Sequence, residues 1–395
     1  MGNIRGGTLG FHGTIGQPTA QVIDGSLKFQ NGSSTYLSRT PSSAGDRDNY
    51  TGSVWVKRTK FAPENNSNSN TFNYTIFSAG TNSASNTDNI KFYKNAGTDD
   101  ANKIEYSSYV GSFQYLIYTN AKYRDPGGWY NVVWNYDGTT AKVYVNGEQI
   151  TSFDTNTQNG GSSGHFNNNV AHVIGHTCDQ NNSSQFDGYM SQFYWIDGQT
   201  LDASYFGFTD PLTNTWRPKK YTGTFGTNGF YLPMDNQDDF EKDKSGNGND
   251  FTKNNFSGTS INPDVVKDSP SGAVFGGRAQ TGITTTSSAP ANYCTFNPLD
   301  SNQTHSNGNL SVVCNGGTSP RAGTGSISVS IGKYYWEVTL TAQTLQKGII
   351  GVVEDEYDGN GSTIPNASSN GVFYFGEAGQ KIIDNTSTSY GASYT

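Results

Sequence analysis

Charge is scarce in this 395-residue chain: Asp, Glu, Lys and Arg make up 15% of it, against about a quarter in an ordinary soluble domain. The 25 basic residues are outnumbered by 33 acidic ones, for a net charge of −8, and no Lys/Arg cluster stands out. Phosphate binding needs a concentrated cationic face, so nucleic acid is not an expected partner. Cysteine is nearly absent. Cys178, Cys294 and Cys314 are odd in number and widely spaced, which excludes a disulfide framework and a zinc-type CxxC pair. Small buried thiols are the expectation, with a Cys294–Cys314 bond as the alternative. No apolar run approaches membrane-spanning length, and the most apolar stretch, 348–353, is far too short. Met1 to Ala20 lacks a basic start followed by an apolar core, so exit by the ordinary secretory route is not expected. Leu, Met, Ala and Glu are few, which argues against helices.

What is abundant is glycine (48) and ring side chains (24 Tyr, 22 Phe). An apolar content of 32% would read as disorder if aromatics were few. Here the rings sit in alternating runs and must supply much of the core. Thr, Val, Tyr and Gly in quantity describe short strands joined by tight turns, hence an all-β protein. The length calls for two or more domains.

Strand-like runs occur at 26–29, 35–38, 53–58, 75–79, 90–93, 103–106 and 113–118, separated by polar loops. In 53–58, Val54 and Val56 share one face and Trp55 takes the other. The clearest signal is 129–150. Tyr130, Val132, Trp134 and Tyr136 line one face, Asp137-Gly138 turns the chain, Ala141, Val143 and Val145 return, and Asn146-Gly147 turns again. This is an antiparallel meander. In 186–196, simple alternation puts Tyr189, Ser191, Phe193 and Trp195 on one face. The expected organisation is a Gly-rich arm (1–19), a sandwich (20–206), a connector with short strands (207–277), including a strand at 230–233 and a compact Asx/Gly turn at 243–251, and a second β module (278–395) with runs at 309–313, 325–331 and 334–341.

The segments "SLKF…YLS", "YTGSVWVKR", "WYNVVWNYDGTTAKVYVNGEQI" and "FDGYMSQFYWIDG" resemble, in this order, the laminin-G/pentraxin branch of the concanavalin A-like superfamily. The resemblance covers about residues 24–206 and implies an antiparallel jelly-roll sandwich. The later runs "GKYYWEVTL", "KGIIGVV" and "GVFYFG" resemble the SPRY/B30.2 family, another β-sandwich, over about 100 residues, and break off at Thr395 before its closing strands. A fragment of a longer protein and a truncated module both fit that ending. The whole layout resembles fiber or appendage proteins of marine tailed, cyanophage-type bacteriophages. That resemblance implies a virion-exterior structural protein released by host lysis, which assembles with other virion proteins, as a trimer if it is a fiber, and attaches to host-surface polysaccharide. A glycan-free assembly spacer and a lectin module of a bacterial surface protein are the alternatives.

Many glucanases share the concanavalin A-like fold, so catalysis is weighed directly. Retaining glycosidases need two carboxylates close together across a groove. Glu64, Glu105 and Glu148 have no carboxylate at i+2 or i+4, and the adjacent Glu354, Asp355 and Glu356 would alternate faces in a strand. No enzyme is expected. His172 and His176 would lie about 13 Å apart on a strand, and no third ligand follows at metal-site spacing. Calcium is the one cofactor the resemblance implies, held in rim loops by Asp and Asn oxygens. Asp88, Asn89, Asp179 and Asp187 are the candidate ligands, while Asx turns bonding their own backbone are the plainer reading. Sugar binding needs exposed rings to stack on pyranose faces. Tyr93, Tyr106, Tyr115, Tyr118 and Tyr123, in or beside loop-rich strands, are the candidates, weighed against a plain role in the core.

Overall fold

The computed structural model describes residues 20–63, 72–81, 85–95, 101–161, 164–178, 184–211, 213–259, 262–270, 292–300, 303–314, 323–328, 336–341, 348–353, 371–384 and 386–392. The expected N-terminal arm, 1–19, lies outside them. In chain order the strands are β1 (Ser26–Phe29), β2 (Tyr36–Arg39), β3 (Asn49–Arg58), β4 (Phe72–Gly80), β5 (Asn86–Lys94), β6 (Lys103–Val110), β7 (Phe113–Thr119), β8 (Tyr130–Asp137) and β9 (Ala141–Val145). There follow β10 (Glu148–Gln149), β11 (Phe153–Gln158), β12 (Ala171–Ile174), β13 (Gly188–Asp197), β14 (Gly207–Asp210), β15 (Thr215–Pro218), β16 (Phe230–Leu232), β17 (Thr252–Asn254) and β18 (Val265–Val266).

Two eight-stranded antiparallel sheets face each other. The first runs β10-β9-β8-β3-β13-β1-β18, with β16 also paired to β13, and the second runs β11-β7-β6-β5-β4-β12-β2-β17. Between them lies an aromatic core. Val54, Val56, Val132, Trp134, Tyr136, Met190, Phe193 and Trp195 of the first sheet meet Ile76, Phe77, Ile90, Phe92, Ile104, Tyr106, Tyr115 and Ile117 of the second. Phe77 stacks on Phe166 at 5.1 Å and 9° and touches Trp195 at 5.2 Å. Rings thus supply the buried area that the scarce aliphatics do not. Gly52 is required on β3, because a Cβ there would lie 2.2 Å from the Trp134 ring.

The expected meander is present as β8, β9 and β10, with Asn146 (φ 50°) and Gly147 (φ 87°) in the left-handed region at its second turn. The alternation expected through β13 breaks. A bulge between Ser191 and Tyr194, with Gln192 at φ 54°, shifts the phase by one residue. Met190, Phe193 and Trp195 therefore face the core, while Tyr189, Ser191, Tyr194 and Ile196 face outward. A second bulge in β4, between Thr75 and Phe77, lets both Ile76 and Phe77 face inward.

The segment expected as a connector is built into the sandwich. β16 pairs with β13, β17 with β2 and β18 with β1. Its Asx/Gly turn is fastened by Asp243, which accepts from the backbone N–H groups of Tyr231 (2.9 Å), Ser245 (2.8 Å) and Asn249 (2.9 Å). The outer face of the first sheet is then covered twice. At one end Val133, Tyr144, Tyr194, Ile196 and Tyr231 pack under Leu201, Phe206 and Tyr221, with the cross-strand neighbours Tyr194 and Tyr231 stacked at 4.4 Å. At the other, the chain after β18 is stitched down by buried polar contacts. Lys57 pairs with Asp268 at 2.8 Å, Tyr189 donates to the Gly308 carbonyl at 2.5 Å, and Asn309 donates to the Thr59 carbonyl at 2.8 Å.

Beyond this lie a hairpin of β19 (Gln303–Ser306) and β20 (Ser311–Cys314) and a four-stranded antiparallel sheet, β21 (Ile349–Val353), β22 (Gly371–Phe375), β23 (Gln380–Ile383) and β24 (Thr386–Ser389). The described parts of the runs expected at 325–331 and 334–341 form no strand beyond a single bridge, Phe296–Gly325. Cys178, buried, and Cys294, half-buried, are in no disulfide.

Candidate functional site

With the first sheet covered on both faces, the site lies on the outer face of the second. Strand parity decides what it displays. On β5, Ile90 and Phe92 face the core, so Thr87, Asn89, Lys91 and Tyr93 face out. On β6, Ile104 and Tyr106 face in, so Glu105, Ser107 and Tyr109 face out. Cross-strand pairing sets Lys91 opposite Glu105, Asn89 opposite Ser107 and Thr87 opposite Tyr109. Tyr118 stands opposite Glu105. These residues, with Asn73 and Phe113, line a groove of about 440 Å³.

The electrostatics of the groove are closed on themselves. Lys91 Nζ lies 3.1 Å from Glu105 Oε1, and the Ser107 hydroxyl donates to the same oxygen at 2.7 Å. Burial and the Glu105 charge beside it push the Tyr118 phenol well above its ordinary range. Tyr93 and Tyr118 stack at 5.1 Å and 9° at one end, and Tyr109 and Phe113 meet edge-on at 4.8 Å at the other. Three buried oxygens on the outward faces of β4 and β5 have no hydrogen-bond partner: Asn73 Oδ1, Thr75 Oγ1 and Asn89 Oδ1. Asn89 is 6% exposed, and its amide is oriented by donation to Thr87 Oγ1 at 2.9 Å. Thr75 is wholly buried, whereas Asn73 and Asn89 line the groove; an unmet buried acceptor costs about 1–3 kcal/mol, so these two mark where a hydroxyl-bearing ligand would gain most. Toward β4 the groove is bounded by Ser184, which accepts from Asn73 Nδ2 at 3.4 Å, and by Cys178, whose N–H donates to Ser78 Oγ at 3.2 Å.

The five tyrosines expected to meet sugar separate by strand parity. Tyr93 and Tyr118 line the groove together. Tyr106 and Tyr115 are instead core residues, 0% and 1% exposed, joined through Tyr50: the Tyr50 and Tyr115 hydroxyls lie 2.8 Å apart. Tyr123, 7% exposed, packs on Phe92 and Tyr130 and is also turned away from solvent. On β7, Tyr115 and Ile117 alternate with Tyr118, and that signal was available once Ile117 was taken as core. Sequence reasoning missed Thr87, Lys91, Ser107, Tyr109 and Phe113, and weighed Glu105 only as an acid.

The calcium candidates are not gathered. Asp88 and Asn89 are neighbours on a strand and face opposite sides of the sheet. Asp88 points inward, where Oδ2 accepts from the N–H groups of His165 (2.5 Å) and Phe166 (2.7 Å). Asp187 Oδ1 accepts from Thr59 Oγ1 at 2.8 Å, and Asp179 lies outside the described residues. No group of three or more His, Cys, Asp or Glu fit for a metal exists among the described residues. His172 is a core histidine, its Nε2 accepting from the Asn167 N–H at 3.2 Å.

Asp88 and His172 titrate in opposition. Burial pushes Asp88 up from 3.8 to about 6 and His172 down from 6.5 to about 4. The raised carboxyl binds a proton more tightly when folded, so its burial penalty is relieved as the pH falls through about 6. The depressed imidazole contributes stability above 6.5 that is lost as pH falls toward about 4. Each linkage is worth about 3 kcal/mol at full extent, so the two largely cancel. Asp88→Asn removes only the carboxyl. In urea melts from pH 8 to pH 4 it should be more stable than wild type at the alkaline end and fall more steeply toward acid. Parallel profiles would contradict the assignment.

Two facing antiparallel sheets with this strand order, one with a polar, ring-edged outer face, define a lectin-like concanavalin A-type sandwich. Residues 31–203 match the Laminin_G_3 family of the concanavalin A-like lectin/glucanases superfamily. Solved structures similar to this chain include the heptameric SAP-like pentraxin of Limulus polyphemus, at 18% identity over 46% of this chain and 80% of that one, TM-score 0.33. Another is a putative carbohydrate binding protein from Bacteroides ovatus, at 16% identity over 59% of each chain, TM-score 0.37. A third is the enzymatically active domain of bacteriophage CBA120 tailspike protein 2, at 12% identity over 53% of this chain and 34% of that one, TM-score 0.30. At these identities and scores the likenesses carry no argument about activity. No curated protein sequence matches the chain.

Proposed function

We propose that this protein binds neutral glycans, without cleaving them, in the groove on the outer face of β4 to β7. The observation that carries the reading is the two unpartnered buried oxygens of groove-lining side chains, Asn73 Oδ1 and Asn89 Oδ1, beside half-exposed tyrosines. Sugar hydroxyls supply donors to such oxygens, and ring faces accept the C–H faces of pyranoses. Neutrality follows from the Lys91–Glu105 pair, which leaves neither charge free for an ionic ligand. Among the described residues Glu105 is the one carboxylate lining the groove, whereas glycoside hydrolysis uses two, about 5–9.5 Å apart.

The test is retention on immobilised laminarin, xylan, galactan and mannan, followed by titration of the Asn89→Ala variant. Its binding should fall about tenfold, near 1.4 kcal/mol, with thermal stability unchanged or raised, because an orphaned acceptor has been removed. Retention by none of these polysaccharides, or a variant that binds as tightly as wild type, contradicts the reading.

The setting we propose is the outside of a bacteriophage particle, as part of an oligomeric appendage, with the C-terminal region a SPRY-like module. Support comes from the sequence layout, the Gly-rich start and the runs "GKYYWEVTL" and "GVFYFG". Cryo-electron microscopy of the particle tests it: sandwiches projecting outward are expected, whereas loop rims wedged between other virion subunits would make the fold an assembly spacer.

A further inference from the structure

The groove has an aromatic element at each end and a polar floor between. On β6, Glu105 beside the Tyr93–Tyr118 stack and Tyr109 beside Phe113 are four residues apart, about 14 Å along the strand. On β5, Tyr93 and Thr87, the latter opposite Tyr109, are six apart, about 20 Å. Asn89 and Ser107 lie midway, opposite each other. The long axis of the site is therefore the strand axis. Ligand crossing of the strands toward β12 is opposed by Cys178 and Ser184, bound to Ser78 and Asn73 of β4.

Resting on the glycan reading above, we infer that the ligand is an internal stretch of a linear, neutral polysaccharide laid parallel to β5 and β6, held at two aromatic subsites. A single terminal sugar would reach one ring pair and leave the other unused. A chain long enough to touch both also passes over the Asn89 and Ser107 floor. The Tyr93–Tyr118 and Tyr109–Phe113 pairs then act as separate contact points for units of one chain, and affinity grows with chain length until both are occupied.

The experiment titrates laminari-, xylo-, galacto- and manno-oligosaccharides, disaccharide to hexasaccharide, into wild type, Tyr93→Ala and Tyr109→Ala. Circular-dichroism melts confirm that each variant is folded; both rings are half-exposed, so neither removal opens the core. For the series that binds, affinity is expected to rise at least about tenfold from disaccharide to hexasaccharide. Each variant should erase most of that rise for the hexasaccharide, while the disaccharide loses affinity in one of them only. If affinity is flat beyond the disaccharide, or Tyr109→Ala binds the hexasaccharide like wild type, the two-subsite inference is overturned and the glycan reading stands. If no oligosaccharide of any length binds, the glycan reading itself falls.

Discussion

Lys57→Met is expected to lower the unfolding free energy by about 3–5 kcal/mol, because it strands a carboxylate in the interior. Lys57 and Asp268 have side chains 0% and 3% exposed, 2.8 Å apart. Lys57 Nζ also donates to Asn292 Oδ1 at 2.9 Å and to the Tyr293 carbonyl at 2.6 Å. Asp268 Oδ1 in turn accepts from Trp129 Nε1 at 3.0 Å and the Tyr293 N–H at 3.3 Å. One buried pair thus ties β3, the loop before β8 and the chain after β18 together. Replacing both partners, as Lys57→Met with Asp268→Asn, should recover part of the loss, since an amide oxygen still accepts from Trp129 without a charge to leave unpaired. Urea unfolding measures both. A single-variant loss under about 1 kcal/mol would show that water reaches the pair.

The second large effect is expected at Phe77→Ala, about 3–5 kcal/mol from lost burial and the cavity left behind. Phe77 is 0% exposed and meets Phe166, Phe193, Trp195 and Phe230 at ring-centroid distances of 5.1, 5.3, 5.2 and 6.2 Å. It joins both sheets and the 164–168 loop. Phe77→Leu keeps most of the volume and should lose much less. Equal losses for Ala and Leu would mean that ring geometry, and not filled volume, holds this centre together.

Much of the fold was legible in the sequence because its signals are local. The β8–β9–β10 meander announces itself through Asp137-Gly138 and Asn146-Gly147, and the two faces of β3 and β8 follow from simple alternation. Where alternation fails, a bulge intervenes. Gln192 in the left-handed region moves Phe193 from the face of Tyr189 to that of Met190, and nothing in a Ser-Gln-Phe triplet signals it. The connector was misplaced for a different reason. The strand expected at 230–233 is present as β16, but β17 and β18, three and two residues long, are too short to show a period, and the pairing of all three with strands far away in sequence leaves no local signal. The candidate site was half legible. Tyr93 and Tyr118 could be named, but separating them from Tyr106 and Tyr115 needed the inward face fixed by Ile90, Ile104 and Ile117. The Lys91–Glu105 pair, which makes the groove neutral, depends on the β5–β6 register, a long-range fact that composition does not carry.

The most direct test of the central claim is a crystal structure of the protein with whichever hexasaccharide binds it. Pyranose rings are expected over Asn89 and Ser107, with a sugar hydroxyl donating to Asn89 Oδ1 and rings of the chain against Tyr118 and Tyr109. A saccharide bound instead in a rim loop, away from β5 and β6, would contradict it.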